Sequence, residues 1–247
     1  MPDLLVLFLA ASATALATGL GAIPVWLLGA RAAALTPFLL GVAAGVMGVA
    51  SVVGLLLPAA DEGTFWEIVA GLAVGGVLLG VARSRLDHEA VFMGRSGPGA
   101  RTSALVFAVL FVHSLPEGLA VGTAYASERA GLGLFVIVAI AIQNVPEGTS
   151  VAIPMEAAGY GRVRQFWAAV ATSAPQPIGA LIAYLAVEQV NALLPISFAF
   201  AAGAMLSLIV VEMLPQAYAD RRRWPGPTLG LLGGAAVMLA LDLLLGV

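Results

Sequence analysis

Apolar residues run through this chain in blocks of about twenty, and polar residues punctuate the blocks instead of alternating within them. Eight blocks are read near residues 3–29, 35–59, 64–84, 103–125, 131–154, 164–186, 194–218 and 226–246. A helix of that length spans the roughly 30 Å of a bilayer's hydrocarbon core, whereas barrel strands would alternate in and out. The pattern therefore predicts an all-α integral membrane protein: eight transmembrane helices in one bundle, with residues 1–247 forming a single transmembrane domain. The connections are short except at about 85–102, where RLDHEAVFMGRSGPGAR is polar, Gly-rich and Pro-containing and reads as a loop.

Composition agrees. The chain is 61% hydrophobic and 10% charged, against about a quarter charged for a soluble domain, and its mean hydropathy is +1.02. Cysteine is absent, which excludes disulfides, thiolate metal sites and cysteine nucleophiles together. No basic residue precedes Arg31, so the first block lacks the basic start of a signal peptide and is read as a mature span.

The arginines orient the bundle. Ten of the eleven basic residues, all arginine, fall in the loops after helices 1, 3, 5 and 7; only Arg129 falls in the others. Positive loops face the cytoplasm, so both termini are expected to be extracytoplasmic and the loop at 85–102 cytoplasmic. Small residues four apart, such as Gly41 and Gly45, Gly71 and Gly75, Gly76 and Gly80, and Gly118 and Gly122, are expected to let helices approach closely. Such faces also permit a homodimer.

Most carboxylates lie at span ends or in loops, and Glu67 and Asp242 lie near outer ends, within reach of water. Asp61 and Glu62 are expected to draw cations to the outer face. Glu117, Glu147 and Glu212 fall well inside helices 4, 5 and 7. A carboxylate at that depth needs a partner or a wet cavity and is a functional candidate. His113 and Glu117 share a helix face, as do Gln143, Asn144 and Glu147. The hexapeptides HSLPEG (113–118) and QNVPEG (143–148) repeat one design: each proline removes an N–H and is expected to kink its helix. Imidazole and carboxylates suit zinc, iron(II), manganese, cobalt or cadmium better than copper(I).

HSLPEGLAVG followed by AIAIQNVPEGTSVAIP resembles the paired signature of the ZIP (Zrt/Irt-like) zinc–iron permeases. The likeness extends to GVAAGVMGVASVVGLLLPA on helix 2 and FAAGAMLSLIVVEMLPQA on helix 7. It implies eight spans, outward termini and a transition-metal site between helices 4 and 5, often with two adjacent metal positions. By this resemblance His113, Glu117 and Glu147 match the primary ligands, and Glu212 matches an acidic position on the route to the cytoplasm. Ser114 stands where the family commonly has Asn, Gln143 where it often has His, and Gln176 where helix 6 often has Glu; Asn144 stands where some relatives have Asp. These four form at most a weaker second position, so one principal metal site is expected. In the loop, His88 stands with Asp87 and Glu89 where many relatives have a His-rich tract.

The expected activity is uptake toward the cytoplasm of a divalent transition metal, zinc first, by a multi-pass protein of the cell (plasma) membrane. The metal is cargo, and no resident cofactor is required. Partners are divalent metal ions and the lipid bilayer; no nucleic acid is expected. No H-E-x-x-H is present, and Ser114 and His113, adjacent on a helix, point about 100° apart, so neither hydrolase class fits and the protein is not read as an enzyme. The alternatives are a proton-coupled transporter of a non-metal solute, or a metal-binding relative without transport.

Overall fold

Backbone in hydrocarbon must satisfy its N–H and C=O groups within its own segment, so the apolar blocks fold as helices. The computed structural model describes residues 2–84, 93–94, 98–127, 129–220 and 224–247. Eight helical units stand among these residues, with no strand: α1 (Asp3–Leu28), α2 (Arg31–Glu62), α3 (Phe65–Ser84), α4 (Pro98–Ala126), α5 (Leu132–Ala157), α6 (Arg162–Gln189), α7 (Asn191–Ala217) and α8 (Pro225–Leu245). Seven are long and apolar enough to cross a membrane, and α3 holds a shorter apolar stretch, Phe65–Val81.

The differences from expectation are local. The helix α4 begins at Pro98, not 103, and absorbs the end of the expected loop; proline suits a first turn because its missing N–H would have no helical partner there. The rest of that loop, apart from residues 93–94, lies outside the described residues, with Asp87, His88 and Glu89; so do Arg221 to Arg223. Pro116 and Pro146 do not break their helices, which run on through both. Instead, α2 and α7 widen into π turns at Val52–Leu56 and Ile209–Met213, just before Pro58 and Pro215. A π turn makes room for the ring that a tighter helix would crowd. The α1 backbone turns at Gly21, whose carbonyl accepts the Thr149 hydroxyl hydrogen from α5 at 2.8 Å.

Small residues set the packing. A Cβ on Gly45 of α2 would collide with the Leu231 carbonyl oxygen of α8, and one on Gly75 of α3 with the Phe200 oxygen of α7. Gly118 and Gly122 of α4 meet the Gln176 and Ala180 oxygens of α6 in the same way, and Gly148 of α5 meets the Thr18 oxygen of α1. Gly76 has ordinary contact with Gly203 and Ser207 of α7, but a Cβ on Gly80 would meet nothing, so Gly80 does not serve the close approach expected of it.

Four helices, α1, α4, α5 and α6, pack on one another; α2, α3, α7 and α8 form a second group, and α2 on α5 and α7 on α4 join the two. One end of the bundle gathers Gly63 with Pro195, Arg129 with Asp61, and Gly131 with Leu245. The other gathers Gly99 with Ala158 and Arg162 with Trp26. Leucines such as Leu27, Leu243 and Leu244 are exposed around the outside, while His113, Glu117 and Glu147 are buried, the inverse of a soluble protein.

Gly45→Ala should cost about 1–3 kcal/mol by forcing α2 from α8, and Gly80→Ala should be neutral or slightly stabilising. Thermal unfolding of the two variants in detergent, side by side, checks the contrast.

Candidate metal site

Glu117 organises the middle of the bundle. It projects from α4, is 1% exposed, and each of its oxygens accepts a side-chain amide hydrogen. Gln143 Nε2 of α5 donates to Oε1 at 2.7 Å, and Gln176 Nε2 of α6 donates to Oε2 at 2.6 Å. Gln176 can reach because Gly118, next to Glu117, leaves room for the Gln176 backbone. A buried carboxylate without such donors would cost several kcal/mol.

The Gln176 amide is oriented by further contacts. Asn144 Nδ2 donates to the Thr14 carbonyl oxygen at 2.6 Å, which fixes the Asn144 amide because a carbonyl can only accept. The same nitrogen lies 3.1 Å from Gln176 Oε1, and the Thr14 hydroxyl shares its one hydrogen between that oxygen at 2.9 Å and the Ala11 carbonyl oxygen at 2.7 Å. Gln176 Nε2 also reaches Asn144 Oδ1 at 3.2 Å. The Gln176 nitrogen therefore faces Glu117, and its oxygen faces away.

Glu147, one helix over, is 4% exposed. Its carboxyl group lies close enough to that of Glu117 for the two charges to interact. Its Oε1 has no hydrogen-bond partner among the described residues, and neither has Gln143 Oε1. His113 Nε2 lies 3.7 Å from Glu212 Oε2 of α7, so α4 and α7 meet through this pair. Gln216 Nε2 donates to Glu212 Oε1 at 3.2 Å.

A cavity of about 260 Å³ begins at His113 and Glu147, passes Ser150, Glu212 and Gln216, and reaches Thr36 and Thr102 at the end that carries Arg31 and Arg101. On the other side, beside Pro116 and Glu117, Met47, Leu79, Ala204 and Met205 close in and leave no space for a water molecule. At that end of the bundle Arg129 holds both Asp61 and Glu62: Nε donates to Glu62 Oε1 at 2.8 Å and Nη1 to Asp61 Oδ2 at 3.1 Å. Burial works against the charge on Arg129, but hydrogen bonds and attraction from Glu62 and Asp61 outweigh it and raise its pKa. The expected free acidic lure is therefore an ion-paired cluster: the sequence places Arg129 in a different loop, and folding brings the loops together.

Of the residues singled out in the sequence, Glu117, Glu147, Gln143, Asn144 and Gln176 form one connected group, while His113 faces Glu212 at its edge. Ser114 stands apart, with its hydroxyl spent on the Leu110 carbonyl of its own helix at 3.0 Å. As the side chains stand, no three His, Asp or Glu among the described residues are gathered tightly enough to hold a metal ion. Glu117 is turned into its amides and His113 toward Glu212, so an ion would have to draw them together. Sequence reasoning missed Thr14, and it missed Ser150, Gln216, Thr36 and Thr102 along the cavity. Thr14 and Thr18 lie four apart on one face of α1, and that short polar stripe was the available signal. Thr18 is also used: its hydroxyl pairs with Ser173 of α6 at 2.6 Å.

The chain is similar to known proteins. The family model described as ZIP Zinc transporter matches residues 93–242. The chain is 36% identical over 183 residues to Zinc transporter GufA of Myxococcus xanthus, covering 73% of this chain and 72% of that one. It is 36% identical over 250 residues to Zinc transporter ZIPB of Bordetella bronchiseptica, covering 93% and 78%. To human Zinc transporter ZIP11 it is 28% identical over 156 residues, covering 61% and 45%. These relatives are named as transporters and not as enzymes. With apolar helices long enough to cross a bilayer and a match across most of the chain, this multi-pass membrane protein belongs to the ZIP zinc transporter family.

Proposed function

We propose that this protein moves a divalent transition metal, zinc first, across the cell membrane toward the cytoplasm through a site between α4 and α5. The observation that carries the reading is the position of Glu147 and His113 at the closed head of a cavity whose other end is arginine-rich. Arginine-rich ends face the cytoplasm, so the site is open inward. Under this orientation both termini are extracytoplasmic. The relatives named as zinc transporters support the cargo.

The ion is held by His113, Glu117 and Glu147, with the Gln143 amide oxygen as a weaker neighbour. Metal and proton compete for the same carboxylate oxygens, so a cation entering between Glu117 and Glu147 takes the place of any proton bound there. A divalent ion between two carboxylates is neutralised at mid-membrane, where a net charge is costly. Glu212 and Gln216 then offer oxygens further along the cavity. On the outer side the packing around Met47 and Met205 closes the path, with the Arg129 cluster beyond it. Alternating access requires that closure to open as the inner cavity shuts.

Reconstituted protein tests the assignment with radioactive zinc, manganese, iron(II) and cadmium. Glu117→Ala and Glu147→Ala should each reduce zinc uptake at least tenfold; wild-type flux in both would remove the site from between α4 and α5. Ser114→Ala should leave uptake within about twofold of wild type, because that hydroxyl serves only the Leu110 carbonyl. Zinc affinity, read by titration of purified protein, should rise with pH across the weakly acidic range, since the ion competes with protons for imidazole and carboxylate; a flat profile would mean that these groups do not bind it.

A further inference from the structure

Three buried polar side chains lie behind Glu117, away from the cavity: Thr14, Asn144 and Gln176, all 0–1% exposed. None of them lines the cavity that Glu147 and His113 head. Each comes from a different helix, and together they make a connected set in which the Gln176 amide is held at both its ends.

The orientation of that amide decides what it can do. Metals bind an amide through oxygen. Gln176 Oε1 lies 3.1 Å from Asn144 Nδ2 and 2.9 Å from Thr14 Oγ1, whose single hydrogen is shared with the Ala11 carbonyl oxygen at 2.7 Å. Turning the amide over would set its nitrogen against the Asn144 nitrogen, which the Thr14 carbonyl fixes as a donor, and its oxygen against a Glu117 oxygen 2.6 Å away. The loss would fall on a buried network in which an unsatisfied group costs about 1–3 kcal/mol. The amide therefore stays as a donor.

We infer that Thr14, Asn144 and Gln176 form a fixed hydrogen-bonding plug on the far side of Glu117, so that a transported cation reaches this carboxylate from the Glu147 side alone and the site takes a single ion. The plug does for the far Glu117 oxygen what a second cation would do: it supplies positive hydrogen to a buried negative oxygen, without net charge. Thr14 and Gln176 are thus positioning residues. They touch no ion, and they determine where on Glu117 an ion can bind. The inference rests on the metal-transport reading above.

Zinc bound per chain is counted on purified protein by elemental analysis after equilibrium dialysis, and affinity is read by calorimetric titration. Wild type should hold one zinc that is lost in Glu147→Ala. Gln176→Glu puts an acceptor where the donor stood and should bind one zinc more per chain than wild type. Thr14→Val removes one of the two bonds that fix the amide and should weaken zinc binding about fivefold, as expected for one hydrogen bond of about 1 kcal/mol. Thr14→Ser, which keeps the hydroxyl, should return the affinity to within about twofold. Thermal unfolding run beside the titrations shows whether Thr14→Val is folded, and a folded Thr14→Val with wild-type affinity, beside an unchanged count in Gln176→Glu, overturns the plug while leaving the metal site standing. Equal zinc on wild type and Glu147→Ala overturns the metal site itself and the plug with it.

Discussion

A carboxylate at the middle of a bilayer is the constraint around which this bundle is built. Glu117 can be kept there because each oxygen has its own amide hydrogen, from Gln143 of α5 and Gln176 of α6. That requirement propagates. For Gln176 to arrive, α6 must lie almost in backbone contact with α4, and only glycine at 118 allows it. For the Gln176 amide to face the right way, α1 must bring Thr14 to its oxygen, and the approach of α1 to α5 runs through Gly148. The glycine of each PEG hexapeptide is therefore as tied to the site as the glutamate before it. One sets the α4–α6 distance and the other the α5–α1 distance, and both distances serve the same hydrogen bonds.

Charge and access divide along the bundle's axis. Toward one end the site meets methionine and alanine without space for water; beyond them Arg129 ties Asp61 and Glu62 together. Exposed ion pairs contribute little to stability in isolation, about 0–1 kcal/mol. This cluster matters more for what it joins: the end of α2 and the loop between α4 and α5, which belong to different helix groups. Toward the other end an open cavity is lined mostly by apolar side chains, with Ser150, Glu212, Gln216, Thr36 and Thr102 set among them. The asymmetry needs no separate device. It follows from which residues of α2 and α7 face the site above and below the level of Glu117.

The helical blocks and the two PEG hexapeptides were legible in the sequence because each depends on composition along a line, block length and short motifs, although one of the eight expected spans, α3, holds only a shorter apolar stretch. The start of α4 was misplaced because Gly and Pro at 97–99 look like loop until proline is seen to suit a first turn. The helices run on through the prolines at 116 and 146, and the π turns before Pro58 in α2 and Pro215 in α7 stand where no motif advertised them. Contacts between helices were the least visible. A lone threonine in an apolar helix normally bonds to its own backbone, as Thr14 also does with the Ala11 carbonyl, so nothing marked it as a partner of Gln176, 162 positions away. Gln143, Asn144 and Gln176 were visible as polar residues at depth, but read as weak ligands. Whether an amide offers its oxygen or its nitrogen depends on what surrounds it in three dimensions.

The network and the cavity also belong to different parts of the molecule, and this bears on how an ion could move. Thr14, Glu117, Gln143, Asn144, Glu147 and Gln176 all stand on α1, α4, α5 and α6, one packed group. Glu212 stands on α7 in the other group and touches the site through His113. A displacement between the groups would change the His113–Glu212 contact and the Arg129 cluster, yet leave every hydrogen bond to Glu117 intact. The costly part of the structure, the buried carboxylate with its donors, would then travel as a unit and never pass through a state with those donors missing. An arrangement that split Glu117 from its amides across the two groups would expose an unsatisfied charge at each cycle, at a cost of several kcal/mol. The helices that carry the donors are thus the ones that must stay together, and the seam along α2–α5 and α4–α7 is where the molecule can yield.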